Sequence, residues 1–391
     1  LIEESEKHNL FLPDLAEKFK ELSNLINEII PETIMEELNK IQSSLDNMNL
    51  EDIQKSLEQM AQNMNEVESE LDRYIDIFKR LKAEQKLDEL KNRLEKLIQQ
   101  KNKLDDDIKN IKNEPSTTNE QRIAQEEQRV LEELKQLNNE MNQSSELIEP
   151  FSQNSADKIE ELSESEDYED AKNNIQNTIS NLQKSNNKKA RDSSQEALNS
   201  LYNLQNALSM IQQQFQNETV SEMAAKLEKI MRDFLFLSKK QENLKEKTSS
   251  LSRNSSRLKA MTYNQQLIQD QLRQTIKQMI KLSKETFSIT PEIGKAVGLV
   301  NNSIEKAKSD LTNRNIRDAM GNQDIAIKGL NETTLFLFQS IKQMQSSGSA
   351  SGFEQFLKMM QQMAGQQQGL NQKGMGLSLG QMSEAGKKQM L

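Results

Sequence analysis

With 391 residues the chain could hold two or three domains, but only 34% of the residues are hydrophobic and 4% are aromatic, which excludes a large globular core. The formal net charge is −10, from 61 acidic and 51 basic residues, which excludes a strongly basic surface for nucleic acid or anionic lipid. Cysteine is missing from the sequence, which excludes disulfides, thiolate nucleophiles and cysteine-ligated zinc. The composition therefore predicts narrow hydrophobic seams and protein partners.

Glycine and proline placement predicts helices for most of the chain. All 12 glycines lie at or after Gly294, so residues 1–293 lack the residue that many turns and phosphate-binding loops require. The five prolines stand where helical patterns begin or end: Pro13, Pro31, Pro115, Pro150 and Pro291. Between them, apolar residues recur at steps of three and four, the spacing of one face of an α-helix. We therefore predict an all-α fold, with two short helices in residues 1–49.

The longest periodic pattern begins near Asn49 and predicts a single helix over residues 50–112. Its first apolar positions alternate in steps of three and four: Leu50, Ile53, Leu57, Met60, Met64, Val67, Leu71, Tyr74, Phe78 and Leu81. The phase slips between Leu81 and Leu87, which changes supercoiling without ending a helix. Such a helix would be roughly 95 Å long at about 1.5 Å per residue, so we expect an elongated molecule.

The apolar pattern resumes after the phase slip, and the chain should then reverse direction. Lys101 occupies one position of the resumed seam. A short loop around Pro115 leads to a further seam, which runs through Ile123, Val130, Leu134, Leu137 and Met141. Helices joined by a short loop run antiparallel. We therefore predict a long antiparallel coiled-coil hairpin over residues 50–149.

Shorter helical signals follow in residues 150–345, where we predict a bundle of hairpins. The clearest helix start is Thr290–Pro291, because a capping residue precedes proline at the first helical position. Residues 313–315 (Asn-Arg-Asn) predict a tight turn, so the helices on either side should form a hairpin.

The final segment, residues 346–391, has a different composition. Ser346–Gly352 predicts a flexible linker. A short amphipathic segment follows, with a candidate partner-binding set of Phe353, Phe356, Leu357, Met360 and Met363. Methionine adapts its shape to a partner's groove, so this segment could dock on another protein, but the interpretation that we weight more heavily is that it packs back on the bundle. From about Gly365 we expect a Gln-, Gly- and Met-rich tail without a fixed fold.

No pattern in the sequence predicts a catalytic, cofactor or metal site. Residues 376–380 match G-x-S-x-G around Ser378, but the strand and the downstream histidine that this motif needs are missing. His8 is the single histidine, so the sequence cannot supply a histidine pair. The acidic block 160–170 lacks the spacing of a calcium loop, and the basic cluster 184–191 has no interleaved aromatic residue. We expect neither a cofactor nor nucleic acid as a ligand.

Several runs of residues resemble a bacterial family of membrane-anchored, coiled-coil-rich proteins, domain-of-unknown-function family 4175. These runs are residues 71–87, 237–244, 290–294, 353–356 and 369–372. In that family hydrophobic anchors precede the helical region, so the resemblance implies a location in the bacterial cell envelope. We find no run of 18 apolar residues, and the chain begins at Leu1 instead of Met, so we expect it to be part of a longer protein with its anchor elsewhere. The resemblance implies no catalytic residues.

Three hypotheses of function remain at this point. The first is a non-enzymatic structural or scaffolding region of an envelope-associated bacterial protein, which could also associate with itself through its seams. The second is a protein-binding module that uses the segment after Gly352. The third is an enzyme that works through carboxylates between helices, since such carboxylates leave no signature in the sequence.

Overall fold

The structure is a computed structural model, and it describes residues 13–29, 64–111 and 117–358. Within these ranges the chain forms helices and no strands, which confirms the predicted all-α fold. The helices are α1 (Pro13–Ile29), α2 (Met64–Asn110), α3 (Thr117–Ile148), α4 (Gln153–Ser163), α5 (Glu166–Gln183), α6 (Asn187–Ser249), α7 (Leu258–Ser283), α8 (Pro291–Thr312) and α9 (Ile316–Ser347). Three predicted features lie outside the described residues: the second short helix after Pro31, residues 50–63 of the long helix, and the tail from Gly365.

The chain divides into two compact units. The central unit is Lys79–Ser221, and the terminal unit combines Leu1–Phe78 with Glu222–Leu391. These boundaries differ from the expected divisions after residues 49, 149 and 345. They fall inside the continuous helices α2 and α6, where no turn residue marks them; the α2 boundary, after Phe78, lies just before the predicted phase slip at Leu81.

The central unit is built on an antiparallel hairpin of α2 and α3, as predicted. Three ion pairs establish the direction, because partners later in α2 lie earlier in α3: Lys86–Glu140, Lys101–Glu127 and Asp107–Arg122. Helix α2 continues through the predicted phase slip, where Ala83 and Leu87 are fully buried. The small buried side chain of Ala83 therefore keeps the apolar seam of α2 continuous through the phase slip.

Helices α4 and α5 and the first part of α6 complete the central core. Ile159, Ile175 and Phe215 are fully buried in one apolar cluster with α2 and α3. Serine hydroxyls cap the two short helices: Ser152 accepts a hydrogen bond from the Ser155 N–H, and Ser165 accepts one from the Tyr168 N–H. Most of the acidic block lies on α4 and in the first turn of α5, and acidic side chains in a first turn stabilise the helix dipole.

The terminal unit contains the later part of α6 with α7, α8 and α9. Helices α8 and α9 form the predicted hairpin around Arg314, which has a positive φ of 61°. The two helices approach closely at Gly329, where an added Cβ would lie 2.7 Å from Cγ2 of Val300. Helix α1 joins the same unit through Lys18, whose ammonium pairs with Glu68 and Asp72 of α2.

The segment predicted to be a flexible linker is instead a packed connection. Its first two serines end α9, and Ala350 and Ser351 are fully buried. The backbone N–H of Phe287 donates to the carbonyl oxygen of Ser351 at 2.8 Å. Gly352 has a φ of 73°, and an added Cβ there would lie 2.7 Å from the Ser288 nitrogen. Small residues are needed here because the backbones approach closely and Gly352 is left-handed. We name residues 286–288 together with residues 349–352 the C-terminal clasp.

Candidate functional site

The predicted partner-binding segment begins directly after the clasp, and its central aromatic residue is in the core. Phe356 is 6% exposed and stacks on Phe287, with ring centroids 4.6 Å apart. Its edge also meets Phe78 of α2 at 5.4 Å. This packing favours the alternative that the segment folds back on the bundle.

The other members of that candidate set have different positions. Phe353 and Leu357 are half-buried, and the ring of Phe353 lies 6.2 Å from that of Phe356. Met360 and Met363 lie outside the described residues. The structure therefore places Phe353, Phe356 and Leu357 together on one helical turn, with Phe356 turned inward.

Large exposed apolar side chains concentrate on the terminal unit. They occur on each of its four main helices: Leu235, Phe236, Tyr263, Leu267, Ile280, Leu299, Ile325, Leu335 and Phe338. In the described part of the central unit the corresponding side chains are Tyr202 and Met210. Single exposed apolar residues are normal on protein surfaces, whereas adjacent ones mark interaction sites. An interaction site therefore requires that some of these side chains be neighbours.

Two polar contacts fix the register between α6 and α9. The Ser238 hydroxyl donates to Oδ1 of Asn331 at 2.8 Å, and the Lys245 ammonium pairs with Asp324 at 2.5 Å. Moving back along α6 therefore corresponds to moving forward along α9, so the two helices are antiparallel. One turn from Ser238 and Asn331, Leu235 and Leu335 come to the same level.

Phe338 lies three residues beyond Leu335 on the same exposed stripe of α9, whereas the consecutive residues Leu235 and Phe236 point to different sides of α6. We call Leu235, Leu335 and Phe338 the α6–α9 patch; their side chains are between 46% and 53% exposed. The Lys240 ammonium lies 4.3 Å from the Phe236 ring centroid and also donates to Gln271 of α7. Phe236 therefore lies on the side of α6 towards α7 and is not part of the α6–α9 patch.

Basic side chains surround the patch. Lys239 on α6 and Lys342 on α9 are exposed within four residues of patch members. Arg232 and Lys328 lie on the same helices, each near one glutamate at 3.6 Å and 3.9 Å. Ion pairs of that length between exposed groups are weak, so these cations remain accessible. The arrangement is an apolar centre whose rim carries these four cations and the two glutamates, Glu228 and Glu332, that pair with two of them.

Sequence reasoning did not find this patch. The pattern predicts both Leu337 and Phe338 for the apolar face of α9, but the structure buries Leu337 and exposes Phe338. Likewise Phe234 and Leu237 are buried on α6, whereas Leu235 and Phe236 between them are exposed. Residues 234–237 are four consecutive apolar residues, and such a run spans more than one face of a helix. An apolar surface wider than one face is the feature of the sequence that could have predicted the exposed residues.

A second polar feature lies inside the central unit. Lys101 and Glu127 are both fully buried, and the Lys101 ammonium donates to Oε1 of Glu127 at 2.8 Å and to the hydroxyl of Ser194 at 2.6 Å. Asp105, one turn further along α2, is also buried. We call these four residues the lysine cluster. Glu127 lies between Ile123 and Val130 in the apolar seam of α3, where an apolar residue is missing. A polar residue in each of two facing seams, Lys101 in α2 and Glu127 in α3, is the feature of the sequence that could have predicted this cluster.

The interior of the terminal unit has a neutral counterpart, which we call the glutamine cluster. Gln241 of α6 and Gln265 of α7 exchange two amide hydrogen bonds, at 3.0 Å and 2.7 Å. Gln323 of α9 donates to the same oxygen of Gln265 at 3.0 Å. All three side chains are fully buried, so they link three helices through amides.

Comparison with family models, with curated proteins and with solved structures found no match for this chain. Membership of family 4175 therefore stays a prediction. In the described ranges, no helix is long and apolar enough to cross a membrane. In those same ranges, no three acidic or histidine side chains are grouped so that they could hold a metal ion.

Proposed function

We propose that this chain is a non-enzymatic helical scaffold that binds a partner protein on the α6–α9 patch. The observation that carries the proposal is that the register between α6 and α9 brings three large, half-exposed apolar side chains, Leu235, Leu335 and Phe338, together. Burying apolar surface stabilises a complex by about 25 cal/mol per Å², and aromatic side chains with neighbouring cations are typical of the residues that dominate binding energy.

The chemistry of the patch favours an amphipathic helix with acidic flanks as the partner element. Two antiparallel helices present a groove along which the apolar face of a third helix can lie. Lys239, Lys342 and Arg232 at the rim would attract acidic side chains on either side of that face. Electrostatic attraction of this kind mainly raises the association rate and selects the orientation of the partner.

Two further points support a structural role. Within each cluster, buried hydrogen bonds join side chains of different helices: Lys101 bonds Glu127 and Ser194, and Gln265 bonds Gln241 and Gln323. Groups arranged in this way hold helices together. The resemblance to family 4175 adds a proposed location in the bacterial cell envelope, with the membrane anchor outside these residues.

Site-specific photo-cross-linking tests the proposal. A photoreactive phenylalanine analogue replaces Phe338, and the matched control carries it at the exposed position Lys306 of α8. We expect the analogue at position 338 to attach to an acidic amphipathic helix of one protein, and we expect the control to give no such product. Adding Leu335→Glu should remove the product, because a carboxylate would then lie in the apolar centre.

Three results would contradict this function. The first is an identical set of products at positions 338 and 306. The second is a product at position 338 whose attached peptide is neither acidic nor amphipathic. A product that joins two copies of this chain would also contradict a separate partner protein.

A further inference from the structure

Charge is distributed unevenly along the chain. Residues 222–358, which contain the later part of α6 with α7, α8 and α9, have 22 basic and 14 acidic residues, although the whole chain has a net charge of −10. This distribution corrects the expectation that the composition excludes a basic surface, because the acidic excess belongs to the rest of the chain.

The exposed stripe of α7 carries both lysine and apolar side chains. Its members recur at steps of three and four and, apart from the half-buried Gln271, are exposed: Lys259, Tyr263, Leu267, Gln271, Gln274, Gln278 and Lys281. Lys277 is also exposed and lies beside the end of this stripe. Tyr263 is 64% exposed and Leu267 is 44% exposed, so two adjacent turns of α7 present apolar surface to solvent.

A stripe of α6 lies beside the stripe of α7. The Lys240 ammonium joins them, because it donates to Oε1 of Gln271 at 2.9 Å and lies over the Phe236 ring. The α6 stripe follows helical spacing, with steps of seven, four, three and four residues: Lys229, Phe236, Lys240, Asn243 and Lys247. Phe236 is therefore exposed beside the apolar turns of α7.

The register between the two helices places the lysines at two ends. Positions later in α6 lie opposite positions earlier in α7, because Lys226 pairs with Glu285 at 2.5 Å and Gln241 bonds Gln265. Lysines that share an end are Lys247 with Lys259, and Lys229 with Lys277 and Lys281. The apolar side chains that lie between these ends are Phe236, Tyr263 and Leu267. We call these eight residues the α6–α7 face.

Acidic side chains leave the lysines of the α6–α7 face unpaired. Among the residues that the structure describes, none of the five lysines has an ion pair, whereas Arg232 and Arg273 nearby lie 3.6 Å and 3.7 Å from carboxylates of their own helices. On α6, Glu242 and Glu246 follow Ser238 at steps of four, so they lie towards α9. Asp233 of α6 is half-buried, and Asp270, the acid of α7 within this span, is the one near Arg273.

We propose that the α6–α7 face binds the surface of an anionic lipid bilayer. Lysine stems lie along apolar surface and keep their ammonium groups at the level of the headgroups, while aromatic and leucine side chains enter the interface. The face is about 33 Å long at about 1.5 Å per residue, and two adjacent helices present it side by side to a planar surface. It is on the side of α6 towards α7, so this proposal does not depend on the α6–α9 patch.

The identity of the cations favours lipid over an acidic protein. The five unpaired cations of the face are lysines. Interfaces between proteins are enriched in arginine and depleted in lysine, because the planar guanidinium matches a carboxylate with two hydrogen bonds. An ammonium group is a point charge without such a fixed geometry, which suits mobile headgroup phosphates.

Tryptophan fluorescence of the full chain tests whether the face enters a bilayer. The chain has no tryptophan, so Tyr263→Trp introduces a single reporter. We expect vesicles that contain phosphatidylglycerol to shift its emission to shorter wavelengths, and vesicles of phosphatidylcholine alone to leave it unchanged. The matched control is Tyr202→Trp, at an exposed tyrosine of the central unit, and its emission should not respond.

Vesicle co-sedimentation tests the lysines. The double variant Lys277→Gln/Lys281→Gln should bind phosphatidylglycerol vesicles about 30-fold more weakly, since each lysine near an anionic surface contributes about fivefold. The control Lys295→Gln/Lys306→Gln removes the same charge from exposed positions of α8 and should bind as the native chain does.

Three outcomes would overturn the proposal. The first is no response of Tyr263→Trp to anionic vesicles, and the second is an equal loss of binding in the two double variants. The third is binding to polyglutamate without binding to vesicles, which would assign the face to an acidic protein instead.

Discussion

Both units bury polar side chains between packed helices, but the two units bury different kinds of polar side chain. In the described residues, the central unit buries a lysine and three carboxylates, whereas the terminal unit buries four neutral glutamine side chains and exposes more large apolar side chains on its surface. A buried charge is costly unless every partner is present, while a buried amide costs less when a partner is lost. We therefore expect the central unit to tolerate less change in its interior than the terminal unit does.

The largest effect should come from removing the acid of the lysine cluster. Glu127→Leu leaves the Lys101 ammonium buried with the Ser194 hydroxyl as its remaining side-chain acceptor, and breaking a buried pair in this way costs about 3–5 kcal/mol. Chemical denaturation, monitored by hydrogen exchange of the α3 amides, measures this loss in the free energy of unfolding. The double variant Lys101→Met/Glu127→Leu should recover most of it, and failure to recover would mean that the charge is not the cause.

The next effect concerns the aromatic contact behind the clasp. Phe356→Ala removes a ring that packs on Phe287 and Phe78, and we expect a loss of about 3 kcal/mol in the terminal unit. Hydrogen exchange in α8 and α9 should rise, whereas exchange in α4 and α5 should not. If stability is unchanged while one binding interaction disappears, the binding-module hypothesis for this segment gains support instead.

The glutamine cluster should respond more mildly. Gln265→Leu leaves the amides of Gln241 and Gln323 without their shared partner, and we expect a loss of about 1–3 kcal/mol. Replacing all three glutamines by leucine should restore or exceed the native stability, because no buried donor then remains unpaired. A loss as large as that of Glu127→Leu would contradict the distinction between charged and neutral interiors.

The smallest effect should come from the α6–α9 patch, and a neighbouring residue provides the control. Phe338→Ser alters an exposed side chain and should change stability by no more than about 0.5 kcal/mol. Leu337→Ala, one residue earlier, empties a fully buried site and should cost about 2–5 kcal/mol. Thermal unfolding distinguishes the two, and equal losses would mean that Phe338 is part of the core.

Apolar spacing predicts the helices and the two clearest hairpins, because both depend on neighbours in sequence. The α2–α3 hairpin follows from seams joined around Pro115, and the α8–α9 hairpin follows from Thr290–Pro291 and the turn at Arg314. The unit boundaries were not predicted, because α2 and α6 continue through them without a turn residue, and a phase slip such as the one after Leu81 does not end a helix.

The candidate sites depend on contacts between distant residues. Lys101 stands out in its seam, but its partner Glu127 lies on another helix and is recognisable only once the two helices are aligned. The packed clasp was predicted as a linker, because serine and glycine serve flexible chains and close backbone approach equally well. The consecutive apolar residues around Phe236 predict a second apolar face on α6, but the sequence does not indicate which of the two faces is buried.

The clasp also carries a consequence for the order of folding. Thr286 and Ser351, which meet there, are 65 residues apart in sequence. Closing so long a loop costs entropy, and formation of the α8–α9 hairpin shortens the path that must be closed. We expect the hairpin to form first and the clasp last, so a growing chain would expose Phe287 until synthesis had passed Phe356. The terminal unit would therefore complete its aromatic core only after nearly all of the described chain has been made.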